Sequence, residues 1–256
     1  GGAGGAAGTT TSTTTAAGGA TTTSAAGGAG GAETTTSTMS TTTSTSTTTS
    51  TSTTTSTSTA TGGACGIGHL VISEIRSRGA AGASDEFVEL YNPTAVDVVL
   101  DKTWTLSGRS TSSASYTTRW TGKGATIPAH GHFLIVGSTY LQSPAKDDSL
   151  SSGVTDAASI VLKQNANVVD AVCYLFDPAK QSFSAADGGT PYVCEGNPAS
   201  NLPHNDGTSN GSNADVSIER KPGGANGNCV DTDDNASDFA TSTPATPMSS
   251  ASAPTP

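Results

Sequence analysis

The chain has 256 residues, a formal net charge of −10 and only 12% charged residues. This acidic balance argues against nucleic-acid binding, because contact with the phosphate backbone requires clustered Lys and Arg side chains. No apolar run is long enough to span a bilayer as a helix. The composition favours a protein of an outside medium, or one that binds cations.

The first element is a low-complexity segment over residues 1–64. It consists of Gly, Ala, Thr and Ser, interrupted by Glu33 and Met39. Such a segment cannot bury enough apolar area to offset the entropy cost of ordering it. We predict an extended arm, which is either a flexible linker or an O-glycosylated stalk. The glycosylation candidates are the hydroxyl side chains of Thr35, Thr36, Ser37, Thr41, Thr42, Thr43, Thr47, Thr48 and Thr49. Since the chain does not begin with Met, Gly1 is expected to be a processed end.

Short runs of β-branched and aromatic residues follow, and they predict strands. In the run over residues 86–91, Phe87, Glu89 and Tyr91 share one face, and the alternating residues share the other. Glu86 and Glu89 therefore lie on opposite faces and are not expected to form a catalytic carboxylate pair. The predicted strands include residues 69–75, 86–91, 116–120, 159–163 and 168–173.

Two local patterns support the prediction of an all-β fold. Trp104 and Leu106 are two residues apart, so on a strand they would share a face, and we predict that both enter the core. Residues 164–167 contain two Asn between apolar runs, which is typical of a hairpin turn.

The order of the motifs resembles the lamin-tail domain family, in a bacterial-type secreted member with a Thr/Gly-rich arm. The resemblance covers residues 67–249 and implies an all-β, immunoglobulin-like sandwich with Greek-key links. Lamin-style coiled-coil assembly is not expected, because the chain has no heptad rod. The motifs are Ser-Glu-Ile at 73–75, Phe-Val-Glu-Leu-Tyr-Asn-Pro at 87–93, Leu-Asp-Lys-Thr-Trp-Thr-Leu at 100–106, Ile-Pro-Ala at 127–129, Val-Val-Asp-Ala-Val at 168–172, Ser-Ile-Glu-Arg at 217–220 and the acidic run at 231–239.

The domain prediction is therefore an arm over residues 1–64, a sandwich over residues 65–249 and a frayed Pro/Ser/Thr tail over residues 250–256. The sandwich carries a Gly/Pro/Asn/Ser-rich insertion at residues 175–215 that departs from the simplest family pattern. A loop of this length is usually either functional or held by a disulfide.

Four cysteines allow three disulfide pairings, and their spacing is not that of a zinc site. We favour Cys173–Cys194, which would close the insertion, and Cys65–Cys229, which would tie the first segment of the domain to the last. Four free buried thiols are the alternative.

The sequence shows no clear catalytic arrangement. His130 and His132 are two residues apart, as a metal pair on a strand would be, but Gly131 and Pro128 indicate a turn. The other two histidines are His69 and His204, and the chain has neither a nucleophile elbow nor a phosphate loop. We expect no catalysis and no cofactor.

The acidic run near the end of the sandwich is the best candidate for an ion site. Asp231, Asp233 and Asn235 match the first three ligand positions of a calcium loop. The match then fails, because Ala236 stands where Gly is required and Ser242 where a bidentate Glu is required. The alternative is helix capping, in which Asp233 or Asp234 accepts from the backbone of a short turn and Phe239 enters the core.

These observations predict a non-enzymatic extracellular structural or adhesive surface protein. The arm would join copies of the chain into a filament and would be O-glycosylated. The alternative is a secreted module that binds a polysaccharide or a protein, with or without calcium, or an accessory domain of a secreted hydrolase. The partners would be further copies of the chain and cell-surface glycans, with no nucleic acid and no membrane span.

Overall fold

The computed structural model describes residues 65–179, 181–185, 189–201 and 213–256; the arm and its candidate glycosylation sites lie outside them. The described part is built almost entirely from strands. They are β1 Val71–Arg76, β2 Phe87–Tyr91, β3 Val98–Leu100, β4 Trp104–Ser110, β5 Thr117–Thr121, β6 Ala125–Ile127, β7 His132–Val136, β8 Asp148–Ser149, β9 Ala158–Gln164, β10 Asn167–Leu175, β11 Ala199–Ser200, β12 Ser217–Arg220 and β13 Phe239–Ser242. One helical turn, α1 Asn235–Asp238, precedes β13, and a 3-10 turn covers Gly224–Asn226.

Two main sheets form the sandwich. One has the order β13-β12-β1-β2-β7-β8 and the other β11-β10-β9-β4-β5, while β3 and β6 pair separately. The core between the sheets is aliphatic and aromatic, because alternate residues of each strand face inward. The predicted immunoglobulin-like sandwich is confirmed. The largest inward residues include Leu70, Ile72, Val88, Leu90, Trp104, Leu106, Trp120, Phe133, Ile160 and Leu162.

The alternation predicted for β2 is confirmed, with one difference. Val88 and Leu90 enter the core between the sheets. Phe87 and Tyr91 lie on the other face, yet they too are fully buried, in two smaller apolar clusters. Both faces of this sheet are therefore covered, and the outer cover comes from segments that the local pattern does not reveal.

The hairpin over β9 and β10 is also confirmed. Its turn places Asn165 at a φ of 56°, a left-handed conformation that Asn adopts more readily than most residues. Strand β4 lies beside β9, and Trp104 and Leu106 both enter the core, as predicted.

Both predicted disulfides are present. Cys65–Cys229 links residues 164 positions apart, and Cys173–Cys194 links residues 21 positions apart. The first ties the segment before β1 to the loop after β12. The second joins β10 to the returning part of the insertion.

The tail differs from the prediction that it is frayed. Ser249 and Thr255 are buried, and the Thr255 amide donates to the His130 carbonyl at 2.9 Å. The Tyr91 hydroxyl donates to the Pro256 carbonyl at 2.6 Å. We call residues 246–256 the C-terminal strap; it lies across the outer face of the six-stranded sheet.

Candidate functional site

The predicted calcium residues do not form one group of ligands. Asp231 forms an ion pair with Arg220 at 2.9 Å, and Asp233 is exposed at a φ of 57°. The Asn235 side chain is buried, where its oxygen accepts from Cys173 N at 2.8 Å and its amide donates to Ala171 O at 3.0 Å. Two of the three side chains thus have protein partners, and calcium binding stays a prediction.

The capping alternative matches the structure. Asp234 is the N-cap of α1, and its carboxylate accepts from Ala236 N at 3.1 Å. Phe239 follows the turn and is buried in the core. The acidic run therefore starts a helical turn that directs an aromatic ring inward.

Asp231 instead joins Asp170 and Glu195, and their ligand atoms lie within 4.8 Å of one another. Glu195 comes from the insertion, where the sequence analysis assigned no role. Its carboxyl accepts from Ala171 N at 3.0 Å and from the Asn235 amide at 3.3 Å. No local motif could have identified this group, because its members are about 25 to 60 positions apart in the chain.

Arg220 pairs with two of these three carboxyl groups, those of Asp170 and Asp231. Its guanidinium contacts Asp170 at 3.0 Å and 3.2 Å, and Asp238 lies 3.6 Å away. Burial, followed by the charge of Asp170, raises the pKa of Glu195 to about 9. Burial also raises the pKa of Asp231, against the attraction of Arg220. The group is an internal ion-pair cluster with an excess of negative charge.

The histidines do not converge. His132 is buried, with Nδ1 2.7 Å from Glu89 Oε1 and Nε2 2.9 Å from Thr255 Oγ1. His130 is in the preceding turn at a φ of 59° and does not belong to β7, which begins at His132. His69 lies 3.7 Å from Asp231, and His204 is outside the described residues. The structure therefore gives His132 a structural role beneath the strap.

The insertion forms a cleft of about 420 Å³. Its walls include Phe183 and Tyr192, whose rings meet edge to face at a centroid distance of 5.2 Å. Arg109 of β4 stacks on Tyr192 at 3.7 Å and donates to Thr190 O at 2.6 Å. The wall that carries Tyr192 is thus anchored to the five-stranded sheet.

The returning part of the insertion has a second anchor on that sheet. The Val193 amide donates to the Tyr116 hydroxyl at 2.8 Å, and its carbonyl accepts from Ser159 Oγ at 2.7 Å. With the Cys173–Cys194 disulfide, these bonds hold residues 189–201 against the face opposite to the core.

The chain was compared with families, curated proteins and solved structures. Residues 64–181 match the family model described as Lamin Tail Domain. No curated protein matches the chain. Among solved structures, a DUF4876 family protein from Bacteroides thetaiotaomicron is similar, with 13% identity and a TM-score of 0.41; the likeness covers 67% of this chain and 70% of that one. No helix in the described part of the chain is long and apolar enough to cross a membrane.

The family match ends at residue 181, whereas the predicted resemblance extends to residue 249. Strands β12 and β13 lie beyond the match, yet they pair in register with β1 and with each other. They complete the six-stranded sheet and belong to the same sandwich. The ordered motifs, the sandwich and the family match agree: residues 64–181 of this chain match the lamin tail domain, and β12 and β13 complete the same sandwich.

Proposed function

We propose that this chain is a non-enzymatic extracellular structural or adhesive surface protein, in which a rigid sandwich is carried on the Thr-rich arm. The observation that carries this proposal is that the chain covers part of each outer face of its own sandwich. The C-terminal strap lies on one face, and residues 189–201 lie on the other. Cys173–Cys194 holds residues 189–201 on their sheet, and Cys65–Cys229 ties the first segment of the domain to the loop after β12. Disulfides are typical of oxidising compartments.

The roles of the buried polar groups support a structural protein over an enzyme. His132 is held between Glu89 and Thr255, and Asp170 is held by Arg220. Both of these groups therefore have protein partners within the fold.

For assembly, we propose that the arm of one copy adds as a strand to a sheet edge of the next. Thr is β-branched and favours extended backbone. A head-to-tail contact of this kind does not close on itself, and it generates a filament. The arm lies outside the described residues. The structural support for this contact therefore comes from the sheet edges that would pair with the arm.

Of the four edge strands that the described residues give the two main sheets, β13 is the best suited to receive a partner strand. Strands β8 and β11 have two residues each, which is too short. The edge of β5 is interrupted, because the Arg119 carbonyl already accepts from Ser151 N at 2.7 Å. Strand β13 has four residues, pairs only with β12 in the described chain, and exposes Ala240 and Thr241.

Negative-stain microscopy tests the assembly. The full chain should form filaments, and both deletion of residues 1–60 and Thr241→Lys should abolish them, because a charge on an edge strand discourages pairing. Thr118→Lys, on the edge of β5, is the matched control and should leave filaments intact. Filaments that persist without the arm, or a full chain that remains monomeric, would contradict the proposal.

O-glycosylation of the arm is part of the same proposal. Its support is the density of Thr and Ser over residues 35–59. The intact mass of native material should exceed the sequence mass by a series of sugar increments, all of which should be lost when residues 1–60 are removed. A mass equal to that of the polypeptide would remove glycosylation from the proposal.

A second candidate function is a ligand-binding module, and the cleft in the insertion favours it. Half-exposed Phe183 and Tyr192 offer ring surface to a ligand. Binding on a glycan or peptide array that is lost in Phe183→Ala, but kept in the arm deletion, would favour this function over assembly.

A further inference from the structure

A separate polar cavity of about 300 Å³ lies beside the start of β2. Its wall includes Glu86, Gly137, Ser138, Ser152 and Gly153. The cavity contains none of the residues of the Arg220 cluster, the strap or the insertion. The wall offers hydroxyl groups, backbone and one carboxyl group, beside the apolar side chains of Ala83, Leu150 and Val154.

The carboxyl group of Glu86 has an incomplete set of partners. Glu86 is 4% exposed. Its Oε2 accepts from Val154 N at 2.7 Å, and no other donor in the described chain reaches the carboxyl. A buried carboxyl normally has its oxygens hydrogen-bonded. Since Glu86 lines the cavity, Oε1 is an acceptor left for a group that enters it.

Two glycines allow the carboxyl to lie in the wall. A Cβ on Gly153 would lie 2.3 Å from Glu86 Oε1, and a Cβ on Gly137 would lie 2.5 Å from Glu86 Cγ. Either contact is far inside van der Waals distance. The absence of a side chain at both positions therefore leaves room for the Glu86 carboxyl group.

Hydroxyl donors lie in the same wall. Ser152 Oγ accepts from Arg119 Nη1 at 2.9 Å, so its own proton remains free to donate. Ser138 is exposed and has no hydrogen-bond partner for its side chain among the described residues. One small cavity thus presents a charged acceptor and two hydroxyl donors, the pattern that pairs with neighbouring hydroxyls of a sugar.

We propose that this cavity binds one neutral sugar unit of a polysaccharide through Glu86, Ser138 and Ser152. Its volume is at the lower end for ligand pockets, which suits a single unit. A phosphate would be repelled by the carboxylate, and calcium would need more oxygen ligands than one carboxyl offers. The proposal supplies a ligand for an adhesive protein but does not depend on the arm or on filaments.

Charged groups around Glu86 predict how binding depends on pH. Burial raises the pKa of Glu86 to about 7, with Arg119 lowering it and Asp156 raising it further. Above that pH the carboxylate accepts from sugar hydroxyls at full strength. Binding should therefore strengthen between pH 6 and about pH 8.

The test is a titration of the full ¹⁵N-labelled chain, at about pH 8, with the methyl glycosides of glucose, galactose and mannose and with N-acetylglucosamine. Because the wall has no aromatic ring, we expect a Kd of about 1 mM. At least one sugar should shift the amides of Gly137, Ser138 and Gly153. Ser138→Trp should abolish these shifts, and Ser115→Trp, at an exposed position outside the cavity, should not.

Glu86→Gln keeps an oxygen for Val154 N but turns a donor toward the cavity. It should weaken binding about tenfold, as expected for one hydrogen bond to a charged group, and should remove the pH dependence. The spectrum of each variant without sugar reports whether it is folded. The proposal fails if no sugar shifts these amides at about 50 mM, far above the expected Kd, or if the shifts survive Ser138→Trp. It also fails if calcium chloride alone shifts the same amides.

Discussion

Arg220 shows how much of this fold depends on a single buried charge. Its guanidinium contacts Asp170 and Asp231 and also donates to the backbone carbonyl of Ile72 at 3.1 Å. It thereby joins β12 to β1 and β10, which belong to different sheets. The sequence suggests this residue only as part of a Ser-Ile-Glu-Arg motif. Its partners are separated by up to about 150 positions, so only the topology identifies them.

Replacing Arg220 with Met should strongly destabilise the domain. The change leaves Asp170 and Asp238 buried without their cation, a situation that costs about 3–5 kcal/mol. Lys102→Met, at an exposed position, is the control and should change the free energy of unfolding very little. Urea denaturation measures both. A loss below about 1 kcal/mol for Arg220→Met would show that the carboxyl groups relax or protonate at little cost.

Glu74 predicts the pH dependence of stability. Burial, then the charges of Glu89 and Glu219, raises its pKa well above 4.5. Between the unfolded and folded pKa values the native state binds more protons than the unfolded state, so stability falls as pH rises. Glu86 and Glu195, with pKa values raised to about 7 and about 9, act in the same direction. The melting temperature should therefore decline from about pH 5 to pH 9.

Glu74→Gln should make this decline shallower and raise the melting temperature at pH 8. Glu74 Oε1 accepts from Thr246 N at 3.0 Å, a bond that the Gln oxygen can keep, while Oε2 has no partner among the described residues. The Gln amide would place a neutral donor beside Glu89 and Glu219. Asp233→Asn, at an exposed position, is the control and should leave the slope unchanged. An equal slope in Glu74→Gln and the wild-type chain would rule out Glu74 as a source.

At the scale of elements, the sequence predicts the strands but not the segments that lie on the outer faces of the sheets. Alternation in residues 86–91 correctly predicts β2 and both of its faces. The strap has no alternation and few large apolar side chains, so its composition predicts fraying. It is ordered because its backbone and hydroxyl groups satisfy buried polar groups of the sheet. Met248 N donates to Glu89 Oε2, for example, at 2.5 Å.

Deleting residues 250–256 tests the strap. The deletion removes the partners of His132 Nε2 and of the Tyr91 hydroxyl and exposes the outer face of β2 and β7. We expect a loss of about 1–3 kcal/mol in the free energy of unfolding, as for buried polar groups that lose their partners. Hydrogen exchange should become faster at the amides of both strands.

Deletion of residues 1–60 is the control for this prediction, since it removes polar chain that precedes Cys65. It should leave exchange at β2 and β7 unchanged. If the strap deletion also leaves exchange unchanged, the strap adds nothing to the sandwich, and the prediction of a frayed tail would be the better description.

At the scale of the whole molecule, an ordered series of motifs predicts the fold. No motif predicts the groups of residues that distant segments bring together. The hairpin, the core tryptophan and the resemblance to lamin tail domains follow from local sequence. The Glu195 contacts, the cavity at Glu86 and the strap depend on how distant segments meet. For instance, the sequence around Gly137 and Gly153 does not show that both glycines lie against the Glu86 side chain.

The two disulfides should stabilise the molecule to different extents. Cys65–Cys229 closes a loop of 164 positions and Cys173–Cys194 a loop of 21. In the chain-entropy model, loops of these lengths give about 5 and about 3 kcal/mol, because the longer link removes more freedom from the unfolded chain. Cys65→Ser/Cys229→Ser should therefore lower the free energy of unfolding more than Cys173→Ser/Cys194→Ser. Urea denaturation without reductant measures both double variants, and the wild-type chain in reductant should be less stable than either. The reverse order would mean that the insertion, anchored by Arg109 and Tyr116, supports the sandwich more than the link between its first and last segments does.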